Sequence, residues 1–142
     1  MYGNIMITID LSEPASYRKA FPTAVALCRQ FGAGLHILNV LPDLGYGVVQ
    51  NYFPDDFHDK ARVDATEALE KVARENVPDD ITPELHLASG TIYKEIIETA
   101  ERLGIDLIVM ASHRPDLSDY LLGPNAARVV RHSGCSVMVV RG

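Results

Sequence analysis

An open α/β sheet of five parallel strands in the order 3-2-1-4-5, with helices on both faces, is the fold that this sequence predicts. Three observations predict it. Short apolar segments alternate with four longer stretches of helical periodicity along the whole chain, the pattern that builds βαβ units. The first apolar segment, Ile5 to Ile9, is almost wholly apolar and β-branched, as suits a central parallel strand covered on both faces. Glycines at 32, 34 and 104 stand where two of the helical stretches have to stop.

The elements follow in order. Asp10 sits at the carboxyl end of the first strand. From Ser12 to Phe31, Tyr17, Phe21, Val25 and Cys28 recur at helical spacing. Pro22 removes one donor and crowds the preceding turn, so a kink or break is expected near Phe21. Leu35 to Leu41 reads as a second strand, apolar except for His36 and Asn39, and completes a right-handed βαβ unit. Pro42 to Phe57 carries Gly45, Gly47, Pro54 and several aromatics without a period, the mark of a long surface loop. His58 to Asn76 repeats Ala61, Ala65, Ala68, Leu69, Val72 and Ala73 among charges, an amphipathic helix. Glu84 to Ala88 alternates polar and apolar residues, which places it at a sheet edge. Gly90 opens a helix from Ile92 to Leu103 whose Ile92, Ile96, Ala100 and Leu103 form one stripe. The fourth strand, Leu107 to Ala111, empties into a polar stretch with His113 and Arg114. Gly123 then opens a short helix before the last strand, Ser136 to Val140.

Composition narrows the function. The 142 residues fit one domain, residues 1–142, with a single core that buries roughly two-thirds of the unfolded surface. A net charge of −6, with no block of Lys or Arg, argues against nucleic-acid binding. No apolar run approaches the roughly 20 residues that span a bilayer, and the N-terminus lacks a signal pattern. No membrane insertion and a cytoplasmic location are therefore expected. The two cysteines form neither a CxxC pair nor a disulfide framework, and Cys28 falls in the apolar stripe of a helix.

In open α/β sheets, ligands bind at the carboxyl ends of the strands flanking the switch point, here between the first and fourth strands. That rule selects Asp10 and the residues after Met110. A loop closing onto a helix N-terminus, as the one before Gly123 does, is a ready phosphate site. Asp10 equally suits a turn or helix cap, and Gly90 a turn. His36 and His132 read as structural. One carboxylate, one imidazole and one guanidinium make no nucleophile–base–orienter trio and no two-metal cluster, so binding is favoured over catalysis, with slow hydrolysis the most that is expected.

The Ile-Thr-Ile-Asp end of the first strand, Gly90, and the Ser-His-Arg-Pro, Leu-Leu-Gly and Asn-Ala-Ala-Arg-Val-Val-Arg-His segments together resemble the universal stress protein family. The likeness is greatest to its short bacterial subgroup and runs over nearly the whole chain. It implies a Rossmann-like sheet of the adenine nucleotide alpha hydrolase-like kind and an ATP-binding, stress-response regulatory protein acting as a homodimer, with ADP or AMP as other ligands. By the same resemblance, Asp10 with the backbone near Thr8, Ile9 and Val40 contacts ribose and adenine, beside Gly90, Met110 and Ala111. Gly123, Pro124, Asn125, His113 and Arg114 line the phosphates, and Asp10 is a possible Mg²⁺ ligand beside them. The dimer is expected to pair Ser136 to Val140 across a two-fold axis, and an unknown protein partner is open to it. Many family members carry a Gly-x-x-Gly turn and a later Gly-Ser or Gly-Thr pair. Here Ala111 and Arg114 replace the two glycines, and Pro124 replaces the hydroxyl residue. Arg114 restricts the backbone but brings a bidentate phosphate donor, whereas Pro124 removes an N–H and a hydroxyl. The alternative expectation is a nucleotide-independent dimeric interaction module with a degenerate phosphate loop.

Overall fold

Strand β1 (Asn4–Ile9) occupies the centre of a five-stranded sheet because both of its faces are apolar: Ile5, Met6 and Ile7 have no exposed surface. In the computed structural model, which describes residues 1–42, 55–112 and 123–141, β1 is flanked by β2 (Gly34–Pro42) and β4 (Leu107–Ala111). Beyond them lie the edges, β3 (Glu84–Gly90) and β5 (Ser136–Val140). Every pairing is parallel, and the order 3-2-1-4-5 is the one that the alternation of elements predicts. Glu84 to Ala88 stands at an edge, as its mixed pattern requires.

Among the described residues, four α-helices cover the sheet, two on each face. On one face, α1 (Ala20–Phe31) and α2 (Asp55–Asn76) lay Phe21, Ala24, Val25, Cys28, Leu69 and Val72 onto Ile5, Ile7, Ile37 and Val109. On the other, α3 (Ile92–Leu103) and α4 (Pro124–His132) bury Ile96, Ala100, Ala126 and Val129 against Met6, Leu38, Ile108 and Met110. Right-handed crossovers force this division, since the helices linking β1 to β2 and β4 to β5 leave the centre in opposite directions. Cys28 is a core side chain, and burial pushes its thiol up to about 11, which keeps it protonated and unreactive. Among the described residues, no helix is long and apolar enough to cross a membrane.

The break expected near Phe21 is present, and it falls just before that residue with no kink inside the helix. Residues Pro14–Ser16 form a separate 3₁₀ turn, and the α-helix begins only at Ala20. Pro22 is therefore its third residue, where the backbone N–H has no partner within the helix and its loss is harmless. The second helix begins at Asp55, three residues before the periodicity becomes visible at His58. The strands β2 and β3 each extend beyond their apolar patterns, to Pro42 and Gly90, which pair with each other at the ends. A proline fits there because a final strand residue has no further ladder bond to donate.

Candidate functional site

The carboxyl ends of β1, β2 and β4 open into a cavity of ≈ 690 Å³. It exists because the chain leaves β1 and β4 on opposite sides of the sheet, so no crossover covers the gap between them. Its walls are mostly apolar. Leu38, Val40, Ile92, Ile96 and Met110 line one side, and Ala65 and Ala68 of α2 line another, their small side chains leaving the space open.

The fold brings together seven of the sequence-selected residues: Thr8, Ile9, Asp10, Val40, Met110, Ala111 and Asn125 all line this cavity. Gly90, Gly123 and Pro124 are not among its lining residues. Gly123 is the N-cap of α4 and Pro124 its first helical residue, immediately before Asn125. The positive end of that helix thus abuts the cavity, although proline removes the N–H of its first position. Gly90 ends β3 at a φ of 140°, and a Cβ there would meet Glu95 Oε1 at 2.8 Å. The turn into α3 thus accounts for that glycine by itself. His113 and Arg114 lie outside the described residues.

Asp10 is exposed at the cavity, and its carboxylate is fixed by its own turn. Oδ1 accepts from the Ser12 backbone N–H at 2.9 Å and from the Ser12 hydroxyl at 2.6 Å. The turn reading of Asp10 therefore holds locally. The same bonds hold an anionic group at a cavity whose walls are mostly apolar, where it can accept hydrogen bonds from a donor-rich ligand or hold a cation.

Sequence reasoning missed several lining residues. Asn39 is only 4% exposed, yet it lines the cavity with Ser12, Ser16 and Asp64. A signal existed: a lone amide within an apolar strand, close to the strand's carboxyl end, has no reason to be there for packing. Ser12 and Ser16 fall in a stretch with helical spacing, and Ala65 and Ala68 in the stripe of an amphipathic helix. Among the described lining residues there is no Cys, Lys or His.

Comparison with known proteins decides the family. The sequence profile of the universal stress protein family matches residues 1–141. The chain belongs to the universal stress protein family. Universal stress protein G of Escherichia coli O157:H7 is 32% identical over 99% of this chain and all of its own length. The universal stress protein UspA from Lactobacillus plantarum superposes with a TM-score of 0.79, at 23% identity, over 99% of this chain and 98% of that one. Two other solved family structures share the fold. One is a universal stress protein in complex with cAMP, at 24% identity and a TM-score of 0.61, covering 99% and 97% of the two chains. The other is from Archaeoglobus fulgidus in complex with dAMP, at 17% identity and a TM-score of 0.66, covering 97% of each. The family therefore includes proteins that bind adenine nucleotides in this fold.

Proposed function

We propose that this universal stress protein binds an adenine nucleotide, ATP in the first place, in the cavity at the switch point, and acts as a regulatory homodimer in the cytoplasm. The observation that carries the reading is the cavity itself. Its volume of ≈ 690 Å³ falls within the roughly 300–1,000 Å³ of small-ligand sites. Its apolar walls suit a purine ring, and Asp10 at its edge suits ribose hydroxyls or a nucleotide-bound Mg²⁺. The N-terminus of α4, with Asn125, suits phosphate. The cAMP and dAMP complexes of structural neighbours support the ligand class. Titration calorimetry of nucleotide-stripped protein with ATP and Mg²⁺ tests it. Saturable binding with one site per chain is expected, and no heat at millimolar ATP would leave the nucleotide-independent interaction module as the better reading.

Pro124 is the specific observation on the side of that second reading, because the first turn of α4 lacks one donor where phosphate is expected. Pro124→Ser restores an N–H and adds a hydroxyl. One hydrogen bond to a charged group contributes roughly 1.5–3 kcal/mol, so ATP should bind about tenfold tighter or more. AMP should gain far less. Loss of the pre-set φ lowers the ligand-free stability by about 0.4–1 kcal/mol, so affinity and melting temperature should move in opposite directions. Equal gains for ATP and AMP would move the phosphates away from this helix.

The homodimer rests on β5, an edge strand whose residues Val137 to Val140 are apolar and half-buried. An unpaired apolar edge gains by pairing with a second copy across a two-fold axis. Sedimentation at micromolar concentration should give a dimer. A Val139→Lys variant should sediment as a monomer, and a wild-type monomer at all concentrations would refute the pairing.

A further inference from the structure

Three metal-ligating side chains meet at the opposite end of the sheet from the cavity. His36 Nδ1 lies 3.0 Å from His86 Nε2 and 3.5 Å from Glu84 Oε2, and His86 Nε2 lies 3.9 Å from that same oxygen. The strand register creates the cluster. His36 of β2 stands directly opposite Glu84 of β3, and Leu38 opposite His86. Since side chains alternate along a strand, His36, Glu84 and His86 share one face near the amino-terminal ends of their strands. The two imidazoles meet edge to edge, their centroids 5.3 Å apart and their planes 18° apart, with His36 buried and Glu84 largely in solvent.

Two features separate this group from an ordinary polar edge. The circle through three atoms spaced 3.0, 3.5 and 3.9 Å apart has a radius of about 2.0 Å, the length of a zinc–imidazole or zinc–carboxylate bond. The second feature lies outside the triangle. His36 Nε2 is 3.3 Å from Asn4 Oδ1, a contact that suits the tautomer with its proton on Nε2 and its Nδ1 lone pair toward His86. A ligating histidine held by an oxygen at its other nitrogen is the usual outer arrangement of a metal site.

We infer that His36, His86 and Glu84 form a binding site for a divalent ion of the zinc class, which ties the edge strand β3 to β2. Two neutral imidazoles and one carboxylate favour late first-row ions over Mg²⁺ or Ca²⁺, which take oxygen ligands. Three protein ligands leave a fourth position for water. Without the ion, the His86 Nε2–H donates to His36 Nδ1. With it, the His86 proton moves to Nδ1 and Nε2 becomes a ligand, so no net proton is released from the imidazoles. The site is remote from Asp10, and nucleotide binding plays no part in it.

The test uses the full chain, stripped of metal with a chelator, and Zn²⁺ and Co²⁺ as probes. One equivalent of Co²⁺ should give the visible absorption of a four-coordinate complex, displaced by Zn²⁺. Zinc at 100 times its dissociation constant should raise the melting temperature by roughly 5–10 °C. His86→Gln should weaken zinc at least 100-fold. Asn4→Ala removes no ligand and should weaken it by about tenfold. Should His86→Gln fail to fold, Glu84→Gln replaces an exposed carboxylate and carries the same test. Two results would overturn the site: no cobalt absorption and no zinc shift at millimolar metal, or a wild-type response that His86→Gln and Glu84→Gln both retain.

Discussion

Phe21→Ala is expected to lower the melting temperature by about 10–17 °C. Phe21 has no exposed surface, lies in the first turn of α1 and packs onto the central strands with Ile5 and Ile7. Its ring also meets Tyr17 edge to face at 5.7 Å and 82°, joining the 3₁₀ turn region to the helix. Truncating a buried phenylalanine costs about 3–5 kcal/mol. At about 2.1 cal/mol/K per residue, the unfolding entropy of a chain of this length is near 0.3 kcal/mol/K, which converts that loss to the stated shift. The loss is a large share of the roughly 5–15 kcal/mol that holds such a domain together. Differential scanning calorimetry decides it. A drop under 4 °C would mean that the core closes over the void and that the entry to α1 contributes little. Because Phe21 does not line the cavity, nucleotide affinity measured well below the transition should stay within about twofold of wild type.

The surroundings of Phe21 also show where a sequence is legible and where it is not. The stripe Tyr17, Phe21, Val25 and Cys28 marks the buried face correctly, because burial follows periodicity whatever the exact helix ends. Pro22 marks the interruption of the Ser12 to Phe31 stretch but not whether the chain kinks or starts anew. The same residue breaks a helix at its middle and suits its first turn, and only the true start at Ala20 decides between them. Strand order could be read because the crossovers have one hand and the most apolar segment belongs at the centre. The cavity was half legible. Asp10, Met110 and Ala111 end strands beside the switch point, so topology alone selects them. Ala65 and Ala68 come from a helix whose place above the strand ends no local pattern encodes. His36 looked like a satisfied core histidine because its partners stand 48 and 50 residues away, and only the β2–β3 register brings the three together.

Asp10 carries the other large effect. Asp10→Ala should weaken ATP about 100-fold or more while leaving the melting temperature within about 2 °C. The stability expectation follows from exposure: the side chain is outside the core, and its bonds to Ser12 N and Oγ order a surface turn. The affinity expectation follows from charge. Two hydrogen bonds from ribose hydroxyls to a carboxylate contribute roughly 1.5–3 kcal/mol each, and 2.7 kcal/mol is already 100-fold. Asp10→Asn separates the two roles of the residue. An amide oxygen still accepts from Ser12, so the turn survives, but the negative charge is gone. If Asp10 acts on the ligand, the Asn variant should lose most of the affinity that Ala loses, and adenosine should suffer nearly as much as ATP because the contact is to the sugar. A loss seen with ATP and Mg²⁺ but not with adenosine would place the carboxylate on the metal instead. Wild-type affinity in Asp10→Asn, with a loss only in Asp10→Ala, would reduce Asp10 to the anchor of its turn, and the ribose would have to be held by another polar group of the cavity, with Asn39 the first to test.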